Sequence, residues 1–460
     1  MRVRTPCVNL LRRVCPACVT KIIIRSPMSL MLITGIVMFI ILTWCLLKNI
    51  FPPSILFILL PTAAALVCGF GFKELGDYVA QGLKSVVGTA TLVAFSAMFF
   101  TLMKEAGVFD VIVRFILRFI TPSTFSVLLA TLVIASICSL DGNAYATLLV
   151  TVPALLPIYE KMNISKKTLL LLITVGVGVT GITPWGGSLN RAIAVTHLDI
   201  LDVYYRLIPL QAILFVLGVI LCWFMARVEN RSGSGISPDE FHLMRADMLT
   251  CKTVHHPWLL KLNFALVIAT IVILVSGLVA GNYLFMIAFS LAVIINYPDT
   301  KTAQQKIKEY ALTIFPVIVI FLTIGVFVGI LQNTGIIKVL VNEIADIFPT
   351  SLGPYLYLIL AAFSVPIVIL IGSDAFYFAL LPLAVGLGQS FGVSPLHVTI
   401  AMLITEQIGL LLSPVIPATH LGLSLLNLRV DEHIRHSMAK VWIMSVCTLV
   451  AALVIGTIPV

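Results

Sequence analysis

The sequence predicts an all-α protein that crosses the bilayer many times, on three observations. Of its 460 residues, 60% are apolar and 11% are charged, whereas a soluble domain carries about 25% charge. Its mean hydropathy is +1.11. Apolar runs of about 20 residues, long enough to span a bilayer as a helix, recur almost from end to end. An ordinary soluble domain is therefore excluded.

The formal net charge of +9 is concentrated at the start of the chain. The first 27 positions contain no acidic residue and six basic ones: Arg2, Arg4, Arg12, Arg13, Lys21 and Arg25. The remaining residues are nearly balanced in charge, which argues against a basic surface that binds nucleic acid. We interpret residues 1–28 as a basic tail and expect that translation starts at Met28, with a targeting peptide as the alternative.

The apolar segments fall into two halves with the same plan. We expect a first membrane repeat over residues 29–227, a cytoplasmic linker over 228–258 and a second repeat over 259–460. In each half one apolar block is interrupted twice by Gly, Pro, Ser and Asp, which predicts a re-entrant helical hairpin followed by a broken helix. These lie at about 123–158 and 168–197 in the first half, and at about 354–388 and 399–428 in the second.

Internal similarity supports this division. Residues 105–113 (EAGVFDVIV) match residues 333–341 (NTGIIKVLV) at an offset of 228, close to half the chain. Paired interruptions with weak internal symmetry are typical of secondary transporters. The distribution of Lys and Arg among the loops gives each half an odd number of crossings, so we expect the repeats to be inverted.

The four interruptions predict one central binding site, because broken helices in a membrane are tolerated where they line a cavity. Glycines allow a ligand to approach the backbone, hydroxyls and amides donate hydrogen bonds, and half-helix N-termini attract a carboxylate. The candidate substrate-binding residues at the interruptions are Ser139, Asp141, Gly142, Asn143, Thr183, Gly186, Gly187, Ser188, Ser373, Asp374, Ser413 and Thr419.

Acidic residues at membrane depth are the sharper signal, because they are expensive there and usually functional. Asp141 and Asp374 would repel a free polyanion, so we expect a cation in the cargo: a proton, Na⁺ or a divalent metal. The alternative is that both aspartates cap helices at the hairpin tips. Glu406 is a third candidate for cation or proton coupling, or an inward-facing partner of another group.

Arg191 follows the first broken segment and is our candidate for holding an anionic group, because a guanidinium forks onto a carboxylate. Pairing with Asp141 or another buried acid is the alternative. We expect no permanently bound metal or cofactor, and we interpret His197 and His420 as interior residues rather than ligands. No pairing of a nucleophile with a base points to an enzyme, and no ring of carbonyls or charges points to a channel.

Four strings together carry a family resemblance: SLDGN at 139–143, TPWGGSLNR at 183–191, GSDAFYFALLP at 372–382 and LLSPV at 411–415. From about residue 29 to 460 the chain resembles the citrate–divalent metal:proton symporter family of the ion transporter superfamily. The resemblance implies uptake of citrate complexed with Mg²⁺ or Ca²⁺, coupling to protons, and a bacterial inner membrane. It also implies a homodimer and an elevator-like movement of the transport domain.

One departure leaves the substrate open. Where related sequences continue the first tip with an acidic residue and threonines, this chain has Asn143-Ala-Tyr-Ala-Thr147. The alternatives are a sodium- or proton-coupled di- or tricarboxylate carrier that needs no metal, and an inorganic-ion carrier of the same superfamily.

Overall fold

A computed structural model describes residues 27–458 except 49, 238–239, 242–256, 348 and 350. The basic tail up to residue 26 and much of the expected linker lie outside the described residues. Within the described part the chain is all-helical, with nineteen α-helices.

The helices divide into two series of similar order. The first series is α1 (Pro27–Leu47), α2 (Pro53–Val67), α3 (Phe72–Glu105), α4 (Val108–Leu117), α5 (Thr124–Cys138), α6 (Ala144–Lys161), α7 (Lys166–Thr180), α8 (Gly187–Thr196) and α9 (Ile200–Arg231). The second series is α10 (Pro257–Val275), α11 (Gly281–Asn296), α12 (Thr300–Thr334), α13 (Ile336–Ile347), α14 (Leu356–Ala362), α15 (Ser364–Ala375), α16 (Leu381–Ser390), α17 (Pro395–Gln407), α18 (Pro417–Leu426) and α19 (Val430–Val454).

Seven helices among the described residues are long and apolar enough to cross a membrane, which confirms the multi-pass prediction. Helix α3 begins at Phe72, well before the apolar part of its sequence. Its first turns carry Lys73, Glu74 and Asp77, so hydropathy alone marks only the apolar end of this helix.

The long helices α3 and α12 cross closely because small residues meet at the crossing. A methyl group on Gly82 would lie 2.0 Å from the carbonyl oxygen of Gly325. At the other end of the pair, the ammonium of Lys306 lies 3.2 Å from the Glu105 carboxylate. Since early residues of one helix meet late residues of the other, α3 and α12 are antiparallel.

Left-handed residues recur at matched places in the two series. Gly107 and Gly335, with φ of +79° and +76°, each precede an amphipathic helix, α4 and α13. Gly142 and Gly372 have φ of +73° and +74° and lie where the expected hairpins turn. Their spacings, 228 and 230 residues, match the sequence offset.

The helices that follow the two breaks pack across the halves. Helix α8 contacts α16 and α17, and α18 contacts α6 and α7. The halves are thereby interleaved around the four interruptions.

Candidate functional site

The first tip turns between α5 and α6 through a short 3₁₀ turn over Ser139–Asp141. The Asn143 backbone N–H donates to the Asp141 carboxylate at 2.8 Å. The Asn143 side chain in turn accepts from the backbone N–H groups of Tyr145 and Ala146 at the start of α6. Both polar side chains of this tip therefore hold its backbone.

The first break lies between α7 and α8, where residues 181–186 leave the helix. The indole N–H of Trp185 donates to the Leu140 carbonyl at 2.6 Å, which ties the break to the first tip. A methyl group on Gly142 would lie 3.0 Å from the Cα of Gly186, so the two backbones touch. Helix α8 begins without a side-chain cap, which leaves its N-terminus available to an anion.

The second tip is built differently. Gly372 interrupts α15 with a φ of +74° and a ψ of +166°. A π-helical turn over Phe376–Leu380 follows. π-helical turns inside helices occur frequently at functional sites. The Asp374 carboxylate does not cap this tip: it lies 3.1 Å from the Nε of Arg191 on α8.

The second break brings a buried carboxylate to this tip. Glu406, in the last turn of α17, is fully buried. Its carboxylate accepts from the hydroxyl of Ser373 and from the phenol of Tyr377 at 2.6 Å. A carboxylate at membrane depth needs such donors. Arg191 and Asp374 are close enough to act on it electrostatically, and Ser188 approaches the same phenol.

The two broken helices meet directly. The Gln407 side chain donates to the Val177 carbonyl at 3.3 Å, and a methyl group on Gly178 would lie 2.8 Å from the Cα of Ile408. Carbonyls near the end of α7 are thus partly satisfied by the other half of the chain.

Several polar atoms around the breaks lack a partner. The hydroxyls of Ser139, Thr183 and Thr419 are buried without a hydrogen-bond partner among the described residues. So is the Asn190 side-chain oxygen on α8. Buried polar groups are almost always satisfied, so a cluster of such atoms at the interruptions indicates a place for a ligand or water.

The candidate residues therefore separate into two groups. Arg191, Ser188, Ser373, Asp374 and Glu406 converge on one cluster. Asp141 and Asn143 are engaged in the first tip, and Ser413 accepts from the backbone N–H of Val415 near the start of α18. Helix α18 also begins without a side-chain cap.

Sequence reasoning did not select Tyr377, Gln407 or Asn190. Tyr377 lies three residues after Asp374, but a single tyrosine in an apolar run carries no signal of its own. His197 and His420, which we expected in the interior, are both exposed. Each contacts one oxygen: the side chain of Gln332 at 3.2 Å and the carbonyl of Pro414 at 2.7 Å. Among the described residues, no three His, Cys, Asp or Glu side chains are grouped to hold a metal ion.

A cavity of about 650 Å³ lies at the end of α8, and its lining on this helix begins at Val195, four residues after Arg191. Thr196, Gln332, Lys338 and Gln389 are among the residues that line it. It lies where α8 and α16 face helices α12 and α13.

Known proteins resemble the chain over most of its length. The citrate transporter family matches residues 20–405. A citrate transporter of Bacillus subtilis is 30% identical over 428 residues, 93% of this chain and 99% of the relative. The Mg(2+)/citrate complex secondary transporter of the same species is 28% identical over 405 residues, 87% of this chain and 93% of the relative.

Among solved structures, the YdaH transporter of Alcanivorax borkumensis matches with a TM-score of 0.61 and 14% identity. The match covers 85% of this chain and 90% of that chain. At this identity the likeness concerns the fold alone. The sequence relatives confirm the resemblance drawn from the four strings and indicate a multi-pass membrane transporter rather than an enzyme.

Proposed function

The chain belongs to the citrate transporter family, and we propose that it takes up citrate as a complex with a divalent cation, in symport with protons. The observation that carries the proposal is the cluster at the second tip, where the Arg191–Asp374 ion pair lies beside the buried Glu406. It offers a cation for the anionic part of the cargo and a carboxylate for its metal.

For the anion, Arg191 supplies a guanidinium that forks onto a carboxylate. The uncapped N-terminus of α8 adds backbone N–H groups with partial positive charge. The partnerless hydroxyls of Ser139, Thr183 and Thr419 supply neutral donors. Citrate, with three carboxylates and a hydroxyl, needs such a mixture.

For the cation, Asp374 supplies a hard oxygen ligand of the kind that Mg²⁺ and Ca²⁺ prefer. The metal would be cargo, coordinated mostly by citrate, with Asp374 adding a ligand. The Bacillus subtilis relative named a Mg(2+)/citrate complex transporter supports this choice. The alternative, a metal-independent di- or tricarboxylate carrier driven by sodium or protons, would use Asp374 for its coupling ion.

For the proton, we assign Glu406. A fully buried carboxylate with two hydroxyl neighbours sits in a place where a change of protonation alters the charge of the whole cluster. We assign Asp141, whose carboxylate holds the first tip, to the structure of that tip.

We further propose that the two series are inverted repeats and that the hairpins and broken helices move as one domain against a scaffold. The scaffold has two matched ring pairs: Phe57 with Phe327 at 5.3 Å, and Phe285 with Phe99 at 5.9 Å, each position offset by 228. Trp185 packs on Phe285, at a centroid distance of 5.5 Å.

The other ring pair, Phe57 with Phe327, contacts a different part of the proposed moving domain. Phe378 packs on Phe57 at a centroid distance of 5.0 Å. At the offset of 230 that relates Gly142 to Gly372, Trp185 corresponds to Val415 and Phe378 corresponds to Leu148. The moving domain therefore sits unequally on two equivalent surfaces, as expected for one of two alternating states.

A pair of cysteine crosslinks tests this movement. The Lys104 ammonium donates to the Ala146 carbonyl at 3.0 Å. In the second series, Lys104 corresponds to Gln332 at the offset of 228, and Ala146 corresponds to Phe376 at the offset of 230. Because the lysine side chain spans this contact, the test uses a bifunctional thiol reagent rather than a direct disulfide. In a background without native cysteines, we expect Lys104→Cys/Ala146→Cys to crosslink in one state and Gln332→Cys/Phe376→Cys in the other. An active carrier in which the second pair never crosslinks would contradict the repeat exchange.

The substrate proposal is tested by reconstituting the full chain in liposomes and following radiolabelled citrate under an imposed pH gradient. We expect uptake that needs both the gradient and Mg²⁺ or Ca²⁺. Uptake with the gradient but without metal would favour the metal-independent alternative. No citrate uptake under any combination would overturn the proposal. A homodimer in a bacterial inner membrane remains part of it, testable by the mass of the purified protein.

A further inference from the structure

The Arg191–Asp374 ion pair joins the two halves of the chain at the binding cluster. Arg191 comes from α8, just after the first break, and Asp374 from the second tip. Their side chains are 27% and 31% exposed, so solvent or a ligand reaches both. Each group is also the natural partner of one component of the proposed cargo.

Asp374 neutralises Arg191 through one contact, between its Oδ1 atom and the Nε of Arg191. That oxygen has no hydrogen-bond partner among the described residues, so a substrate carboxylate would compete with it for the same cation. A guanidinium binds carboxylates of either origin, and a hard divalent ion binds the Asp374 oxygens in place of Arg191. Citrate can therefore reach Arg191 fully only when the pair opens.

Opening the pair for one ion alone leaves a charge without a partner. Free citrate on Arg191 would place its remaining carboxylates beside an unpaired Asp374, whose negative charge repels them. A free divalent ion on Asp374 would leave Arg191 unpaired beside another cation. Separating partly buried charges from their partners is unfavourable in either case.

We propose that the Arg191–Asp374 pair is a specificity device that admits a carboxylate only together with a cation. The metal–citrate complex replaces one ion pair with two, citrate on Arg191 and metal on Asp374. Neither Arg191 nor Asp374 is then left without a partner. In the empty site the same pair leaves neither Arg191 nor Asp374 without a partner. This inference rests on the proposed function and names which residues make the metal obligatory.

The test is citrate binding to the purified full-length protein by titration calorimetry, with and without Mg²⁺. For Asp374→Asn, whose amide neither neutralises Arg191 nor holds Mg²⁺ firmly, we expect metal-free citrate to bind at least about tenfold more tightly than to the unmodified chain. The improvement that Mg²⁺ gives should disappear. An Asp374→Asn protein that keeps the full metal dependence would overturn the inference.

Two further variants distinguish the loss of the Asp374 charge from a folding defect. Asp374→Glu keeps the charge and should keep the metal dependence; its loss there would contradict the charge argument. Asp202→Asn is the matched control, because it breaks a peripheral pair with Arg206 on α9 and should bind like the unmodified chain.

The failures of the two proposals are distinguishable. If the unmodified chain neither binds nor transports citrate with Mg²⁺ or Ca²⁺, the proposed function is wrong and the inference falls with it. If the unmodified chain transports the complex and Asp374→Asn still requires the metal, the ion-pair device alone is wrong.

Discussion

The two tips each contain a left-handed glycine, Gly142 and Gly372, but their polar side chains make different contacts. At the first, the Asp141 carboxylate accepts a backbone N–H two residues away, and Asn143 caps the next helix. At the second, Asp374 pairs with Arg191 and Ser373 donates to Glu406. The comparison teaches that an aspartate in a broken membrane helix serves either its own backbone or a distant partner, and that its contacts decide which.

Among the residues around the Arg191–Asp374 pair, the largest effect is expected at Glu406, the buried carboxylate of α17. Glu406→Gln removes the group that we assign to the proton, and hydrogen bonds to a charged group contribute about 1.5–3 kcal/mol each. We therefore expect accumulation of citrate under a pH gradient to fall at least about tenfold, while citrate exchange at equal pH is retained.

This prediction has a matched control on α13. Glu343 is exposed, and Glu343→Gln should leave accumulation unchanged. Full accumulation by Glu406→Gln would remove the proton role from the second tip.

A smaller effect is expected for the phenol that supports Glu406. Tyr377→Phe removes one of the two hydroxyl donors and keeps the ring. We expect uptake to fall about threefold to tenfold with an altered pH profile, measured as initial rate against pH. Tyr283→Phe, at an exposed ring on α11, is the control; equal behaviour of the two variants would show that the phenol only packs.

The contact of Trp185 with the first tip ranks next. Trp185→Phe preserves an aromatic ring against Phe285 but removes the hydrogen bond to the Leu140 carbonyl, a loss of about 1 kcal/mol. The uptake rate should change by less than about tenfold, with the metal dependence intact. A change in metal dependence would show that the first tip takes part in cation coupling.

The smallest effect is expected at Asn143. Asn143→Ala removes the cap of α6, which is worth about 1 kcal/mol in the free energy of unfolding. Asn143→Ser keeps a capping oxygen and should be close to the unmodified chain. Thermal unfolding of the purified protein checks this, and a large loss of citrate uptake in a stable Asn143→Ala protein would contradict a purely structural role.

The sequence was sufficient for the fold class and for the places where helices break. Gly, Pro and short polar residues interrupt apolar runs, and membrane depth makes such interruptions rare. The start of α3 could not be predicted from hydropathy because the first turns of this helix are polar. Helical geometry continues through polar residues where other helices pack against them, and hydropathy does not register this.

The site was predicted as a set of residues but not as an arrangement. Arg191 and Asp374 were both selected, yet their pairing depends on how α8 packs against the second hairpin, which no local pattern encodes. Tyr377 was missed because its role follows from a π-helical turn that places the phenol over Glu406. Buried polar networks of this kind depend on tertiary contacts.

The division of labour between the tips is tested most directly by citrate uptake of Asp141→Asn and Asp374→Asn in the same liposomes with Mg²⁺ and a pH gradient. Asparagine at 141 keeps an oxygen for the Asn143 N–H, so uptake should stay within about threefold of the unmodified chain. Asparagine at 374 should abolish the metal-dependent uptake. Equal losses in the two variants, or a greater loss at 141, would contradict the assignment of the coupling chemistry to the second tip.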